Sequence, residues 1–284
     1  KIIKNILAAE KTPGIEDLRS RAYTGDDGMT LVEMAPFGVI GSITPSTNPS
    51  STIINNSISM VAAGNGVVFN PHPSAKKVTL ESIAILNQAI FEAGGPKELL
   101  TSPKNPTMET SKIIMTHKDI RMLAVTGGEA VVEVAMKSGK KVIAAGPGNP
   151  PVIVDETANI KKAANDILRG SSFDNNILCT AEKEAFIINS VFNELRNEMI
   201  RLGAYELKQH EIDIVTKEVF VKTPQGETVV NRKYVGKNAS EILKACKISS
   251  NQDVKLIIAE VNDSHPFVNI EMLMPVLALV RVYS

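Results

Sequence analysis

Cys179 is the residue of this sequence best placed for covalent chemistry. It lies in the polar stretch Ser171-Ser172-Phe173-Asp174-Asn175-Asn176-Ile177-Leu178-Cys179-Thr180, between a helical and a strand-like segment. A thiol held at a cleft by such a loop can attack a carbonyl carbon as its thiolate, whereas the commoner fate of a free cysteine is to fill a small gap in the core. Cys246 follows the second pattern, on the apolar side of a short helix near Ser240 to Cys246 with Ile242, Leu243 and Ala245. Thr126-Gly127-Gly128 after a strand lets helix-start amides approach a pyrophosphate, although many strand-to-helix turns share its composition. Gly146-Pro147-Gly148 lacks the third glycine of a dinucleotide fingerprint, and Ser138-Gly139-Lys140 lacks the upstream glycine of a phosphate-binding loop. The histidines His72, His117, His210 and His265 form no pair at helical spacing and no metal is expected. His72 and His265 adjoin prolines in rigid loops and attract more suspicion than the other two.

The elements that must position these residues are legible as alternating strands and helices. Residues 37–43 read as a buried strand, Pro45-Ser46-Thr47-Asn48-Pro49 breaks it, and a helix follows with Ile54, Ile58, Val61 and Ala62 on one face. A second strand, Gly66 to Phe69, leads through Asn70-Pro71-His72-Pro73-Ser74 to a helix ending near Glu92. A third, Met122 to Val125, leads to the 126–128 turn, a helix to Lys137, and a further strand at 141–144. This alternation predicts a parallel sheet covered on both faces, with its ligand where the carboxyl ends of strands meet helix amino termini. A new α/β pattern begins at Val152, so a boundary is expected near Asn149. The helix after it is expected over about Ile160 to Leu168, with strands at 185–188 and 276–282. Residues 207–250 show weak periodicity.

Composition narrows the partner. The 31 basic and 31 acidic side chains cancel, so no net field draws the chain to nucleic acid or an anionic membrane. Aromatic residues are 4% with no tryptophan, which removes the usual stacking platform for single strands. No apolar run reaches the roughly 18 residues of a spanning helix, and two cysteines make no disulfide framework, so a reducing cytoplasm and a small-molecule partner are expected. The first residue is not methionine and the last residues end on a strand-like run, so further segments are expected at both ends.

The ordered set Ala35-Pro36-Phe37-Gly38-Val39-Ile40-Gly41, Thr44-Pro45-Ser46-Thr47-Asn48-Pro49, Phe69-Asn70-Pro71-His72-Pro73, Thr126-Gly127-Gly128, Gly148-Asn149-Pro150-Pro151, Phe173-Asp174-Asn175-Asn176 with Cys179, and His265-Pro266-Phe267 leading to Glu271 and Met274-Pro275-Val276 resembles the aldehyde dehydrogenase superfamily. It is most similar to the coenzyme A-acylating branch, the propionaldehyde and acetaldehyde dehydrogenases of propanediol and ethanolamine utilisation. The resemblance implies an α/β fold with a parallel-sheet nucleotide-binding domain over 1–149, its amino-terminal part missing, and a partial α/β catalytic domain over 150–284.

It also implies roles. Cys179 matches the nucleophile, and Asn48 the amide that shares the oxyanion with the Cys179 backbone N–H; the hydrolytic branch has its asparagine at the position of Thr47. The pyrophosphate falls to Thr126, Gly127 and Gly128, the adenosine half to Pro71, His72 and Pro73, and the nicotinamide ribose to Glu271. Hydrolytic members carry a water-activating glutamate where this chain reads Ile143-Ala144-Ala145-Gly146-Pro147-Gly148, which favours thiolysis by coenzyme A. NAD is favoured over NADP, with Ala75 near where an acid often meets the ribose. The implied partners are a short aliphatic aldehyde and coenzyme A, with homo-oligomerisation of the full-length chain and a bacterial microcompartment as a further location. The competing readings are an acyl-phosphate reductase on the same scaffold and a non-catalytic assembly protein.

Overall fold

The computed structural model describes residues 2–250 and 253–283. The chain divides into two compact units, Lys1–Gly146 and Pro147–Ser284.

The first unit opens with α1 (Ile2–Lys11) and an antiparallel hairpin of β1 (Arg21–Gly25) and β2 (Gly28–Val32). There follow β3 (Val39–Thr44), α2 (Pro49–Ala62), β4 (Gly66–Pro71), α3 (Lys76–Glu92), β5 (Leu100–Thr101), α4 (Met108–Thr116), β6 (Ile120–Thr126), α5 (Glu129–Met136) and β7 (Lys141–Ala145). The sheet is parallel throughout, in the order β5-β4-β3-β6-β7. Strand order therefore reverses between β3 and β6, which opens a crevice at their carboxyl ends. Ile53, Val67, Phe69, Ile83 and Leu100 pack one cluster, and Ile43, Ile114, Met115, Leu123 and Val125 another. Gly41 is required by that second packing: a Cβ there would lie 2.7 Å from Ile114 Cγ2. The buried face of α2 is Ser51, Ile53 and Ser57 rather than the apolar set at 54, 58, 61 and 62, of which Val61 packs only partly buried. Asn56 donates to Ser42 Oγ at 3.0 Å, so small polar groups hold α2 to the sheet.

The second unit runs β8 (Pro151–Val154), α6 (Ile160–Ser172), β9 (Glu184–Ile188), α7 (Asn189–Arg201), β10 (Ala204–Glu206), α8 (Gln209–Val219), the hairpin β11 (Phe220–Lys222) and β12 (Thr228–Val230), α9 (Ala239–Ala245), β13 (Leu256–Val261), α10 (Pro266–Asn269) and β14 (Val276–Val282). Its five-stranded sheet is also parallel, in the order β10-β13-β14-β9-β8. Side chains of the central strands alternate between two cores, as a strand's twofold period requires. Leu256, Ile258, Leu277 and Leu279 meet Ile167 and Leu168 of α6 and Phe192, Leu195 and Met199 of α7. Ile257, Ala259, Val276 and Ala278 meet Val215 of α8, Ile242 of α9 and Phe267 of α10. The expectation of α/β architecture with parallel sheets is met in both units. The helix beginning at Ile160 extends past Leu168 to Ser172, capped by Asn159, whose side chain accepts from Lys162 N–H. Cys246 is buried, and burial pushes its thiol up to about 11, as fits a core cysteine. Among the described residues no helix is long and apolar enough to cross a membrane.

Leu279 is fully buried in the middle of β14, whereas Ile153 on the edge strand β8 is 77% exposed. Leu279→Ala should lower unfolding free energy by about 2–5 kcal/mol, and Ile153→Ala should leave it within about 0.5 kcal/mol, both read from urea denaturation.

Candidate active site

In the first unit the sequence-predicted residues gather at the carboxyl ends of neighbouring strands. The Pro45–Asn48 loop leaves β3, Pro71 ends β4 with His72 and Pro73 after it, and Thr126 ends β6 with Gly127 and Gly128 after it. His72 N–H donates to Thr44 O at 3.0 Å, tying the first two loops together, and Gly127 N–H donates to Ala145 O at 3.1 Å. Asn48 precedes α2, and the carbonyl of Asn48 accepts from Thr52 N–H and Oγ1. Thr47 Oγ1 donates to Asn48 Oδ1 at 3.1 Å, so the two positions that share the asparagine assignment touch each other. Asn48 and Thr126 both line a cavity of about 480 Å³ between α1 and α2, with Ser51, Thr52, Asn55 and Leu7. His72 is exposed and caps the 3-10 turn Pro73–Ala75, its Nδ1 accepting from Ser74 N–H. Its geometry is that of a cap, and so is that of His265, whose Nδ1 accepts from Phe267 N–H at the start of α10.

The same unit holds a groove that the sequence did not reveal. Met108, Ser111 and Met115 of α4 and Val131 and Val134 of α5 line an apolar slot of about 660 Å³. It adjoins the amino end of α5, where Gly128 is the cap residue without a capping side chain and where a Cβ would meet nothing within 4 Å. First-turn amides beside an apolar slot suit a phosphate joined to a flat heterocycle. Met108 and Val134 of this groove are large apolar side chains left exposed on short helices.

In the second unit three segments converge at the amino ends of β8, β9 and β14, which are neighbours in the sheet. Gly148 to Pro150 leads into β8, the Cys179 loop into β9, and Glu271 into β14. Cys179 is partly buried. A Cβ at Gly148 would lie 2.3 Å from the Cys179 carbonyl oxygen, so only glycine allows the two backbones to approach this closely. Glu271 accepts from the Gly148 backbone N–H, and burial raises its carboxyl above the ordinary carboxylate value despite nearby Lys183. Its Oε1 is buried and has no hydrogen-bond partner. Such an orphaned acceptor, costly to leave unmet, is what a ribose hydroxyl satisfies.

The turn before Cys179 is unusual. Asp174, Asn175 and Asn176 have φ of 50°, 55° and 56°, consecutive left-handed conformations that Asp and Asn tolerate best among residues with a Cβ. Asn175 Nδ2 donates to Gly236 O and Asn238 Oδ1, and Asn176 Nδ2 to Glu182 O. Lys183, fully buried, donates from Nζ to Asn176 O (2.8 Å), Asn176 Oδ1 (2.6 Å) and Leu178 O (2.8 Å). Sequence reasoning passed over Lys183 because Glu182-Lys183-Glu184 reads as a solvated charge run.

Residues 6–213 match the family described as aldehyde dehydrogenase. The chain is 46% identical over 288 residues to the acetylating acetaldehyde dehydrogenase EutE of Escherichia coli, covering 99% of this chain and 61% of that protein. It superposes with a TM-score of 0.94 and 48% identity on a propionaldehyde dehydrogenase from the fucose utilisation bacterial microcompartment of Clostridium phytofermentans, covering 100% of this chain and 64% of that one. A TM-score of 0.93 and 48% identity relate it to the Rhodopseudomonas palustris propionaldehyde dehydrogenase, solved with bound CoA and an acylated cysteine, again covering 100% and 64%. The chain thus spans about three fifths of the length of these relatives. Their fold, with its parallel sheets, is the fold of this chain.

Glu184, at the start of β9, is buried with Oε2 unpartnered, and burial raises its carboxyl to about 7 against the pull of Lys183. Because the folded value lies above the unfolded one, the native state holds a proton that the unfolded chain has lost, and stability falls as pH rises from about 4.5 through 7. Between pH 5 and pH 8 the native chain should therefore lose urea resistance relative to Glu184→Gln; parallel profiles for the two would contradict the assignment.

Proposed function

We propose that this chain, which belongs to the aldehyde dehydrogenase family, carries the nucleotide-binding and nucleophile-bearing parts of an enzyme that converts a short aliphatic aldehyde, coenzyme A and NAD to acyl-coenzyme A and NADH. The observation that carries this reading is the setting of Cys179: a partly buried thiol with Gly148 against its carbonyl and an unpartnered Glu271 oxygen in the same unit. The acylated cysteine and bound CoA of the Rhodopseudomonas palustris relative support the same chemistry.

In this mechanism Cys179 Sγ, as thiolate, attacks the aldehyde carbon and forms a carbon–sulfur bond. The charge that develops on the aldehyde oxygen is met by the Cys179 backbone N–H, a donor of the kind worth about 3 kcal/mol in comparable oxyanion sites; the second donor, Asn48, is assigned by the family resemblance. NAD, when bound, supplies the hydride acceptor. Glu271 Oε1 would hold a hydroxyl of its ribose, Thr126 and the amides of Gly127 and Gly128 would meet its pyrophosphate, the slot between α4 and α5 would take its adenine, and Pro71, His72 and Pro73 are assigned to its adenosine half by the resemblance. Collapse of the oxyanion leaves an acyl thioester on Cys179. Residues 143–148 offer no carboxylate to activate water, so the thioester survives until the thiol of coenzyme A opens it, and the Cys179 thiolate leaves. Assembly of like chains is supported by the exposed apolar side chains of the β1–β2 hairpin, Tyr23, Met29 and Leu31. A microcompartment location is supported by the Clostridium phytofermentans relative.

NADH formation from propanal, with and without coenzyme A, tests the reading. Turnover should require coenzyme A and fall by at least about a thousandfold in Cys179→Ala. Undiminished turnover without coenzyme A, or in the variant, would refute it.

A further inference from the structure

Lys183 is a charged group that the mechanism above does not use, and it has no solvent contact. Removing an ammonium from water costs several kcal/mol unless the protein returns its hydrogen bonds. Here all the recorded acceptors belong to one short stretch, Asn176 to Leu178, directly before Cys179. The acidic groups that face it come from three segments: Glu182 and Glu184 on its own chain neighbourhood, the Cys179 thiol on the loop, and Glu271 before β14. Burial lowers its titration from 10.5, these groups partly oppose burial, and the outcome of about 8 leaves the ammonium form prevailing at neutral pH.

We propose that Lys183 is the positioning residue for the nucleophile: by clasping the carbonyls of Asn176 and Leu178 and the side-chain oxygen of Asn176, it holds the left-handed 174–176 turn and, through it, fixes Cys179 beside a positive charge. The inference rests on the reading of Cys179 as nucleophile, yet a loop anchor placed for folding alone would not need to be charged. The left-handed residues at 174–176 cost free energy, and the clasp offsets that cost where the thiol must be held. Asn176 is the other half of the device, since its amide nitrogen reaches Glu182 O while its two oxygens accept from Lys183.

The test is alkylation of Cys179 by iodoacetamide at pH 7, followed by peptide mass spectrometry in native chain, Lys183→Met and Asn176→Ala. Buried Cys246 in the same chain reports any general opening. Lys183→Met should slow alkylation of Cys179 by at least about tenfold while Cys246 stays protected. Asn176→Ala, which keeps the ammonium but removes one acceptor, should slow it in the same direction and by less. In turnover assays kcat should fall with little change in KM for the aldehyde. Native-rate or faster alkylation of Cys179 in either variant, or exposure of Cys246 in step with Cys179 in Asn176→Ala, would overturn the proposal. Should Lys183→Met fail to fold, Asn176→Ala decides alone. Because alkylation needs neither aldehyde nor nucleotide, failure of the acyl-transfer reading would leave this result standing, and the two can be told apart.

Discussion

A lysine ammonium sealed from water dictates the arrangement of everything near it in the second unit. Its hydrogen bonds must come from protein, and they come from the loop before Cys179. That requirement fixes the path of residues 176–178, which forces the left-handed turn at 174–176 and lets the Asn176 amide close back on Glu182. The same positive charge sits among Glu182, Glu184 and Glu271, whose carboxylates would otherwise share a poorly hydrated region unbalanced. With the loop so held, the Cys179 carbonyl comes close enough to Gly148 to leave no room for a Cβ.

The sheets explain why such a site can exist. Both are parallel, so strand ends of one kind gather along one edge and loops of different sequence distance meet there. In the first unit it is the carboxyl edge, where the loops after β3, β4 and β6 flank the reversal of strand order. In the second it is the amino edge, where the segments before β8, β9 and β14 bring Gly148, Cys179 and Glu271 together. The two units differ in what they offer: helix-start amides and an apolar slot in one, a thiol among buried charges in the other.

How much of this the sequence disclosed follows from which forces are local. The strand–loop–helix order of residues 37–145 was legible because apolar runs, prolines and glycines mark each boundary, and β3, β4, β6 and β7 lie within a few residues of expectation. Cys179 and its polar loop stood out for the same reason. By contrast α8 was lost in a stretch read as weakly periodic: Ile212, Val215 and Val219 do make a buried stripe, but Glu211, Asp213, Lys217 and Glu218 interrupt it. The burial of Lys183 could not be read at all, since a charged triplet at a strand start is ordinarily solvated and only tertiary partners decide otherwise. The α4–α5 groove was missed because it forms only when the two helices flanking β6 pack side by side, which is a tertiary and not a local feature. The rule that ligands gather at carboxyl strand ends points to the loops after β3, β4 and β6 in the first unit, whereas in the second the loops with Cys179 and Glu271 precede their strands.

The central claim, that Cys179 is the acyl-carrying nucleophile, is tested most directly by running the last step backwards. The chain is incubated with propionyl-coenzyme A in the absence of nucleotide and its peptides are examined by mass spectrometry. The account predicts a propionyl adduct on the peptide bearing Cys179, none on that bearing Cys246, and its removal by free coenzyme A. No adduct on Cys179, or an adduct on Cys246 instead, would contradict it.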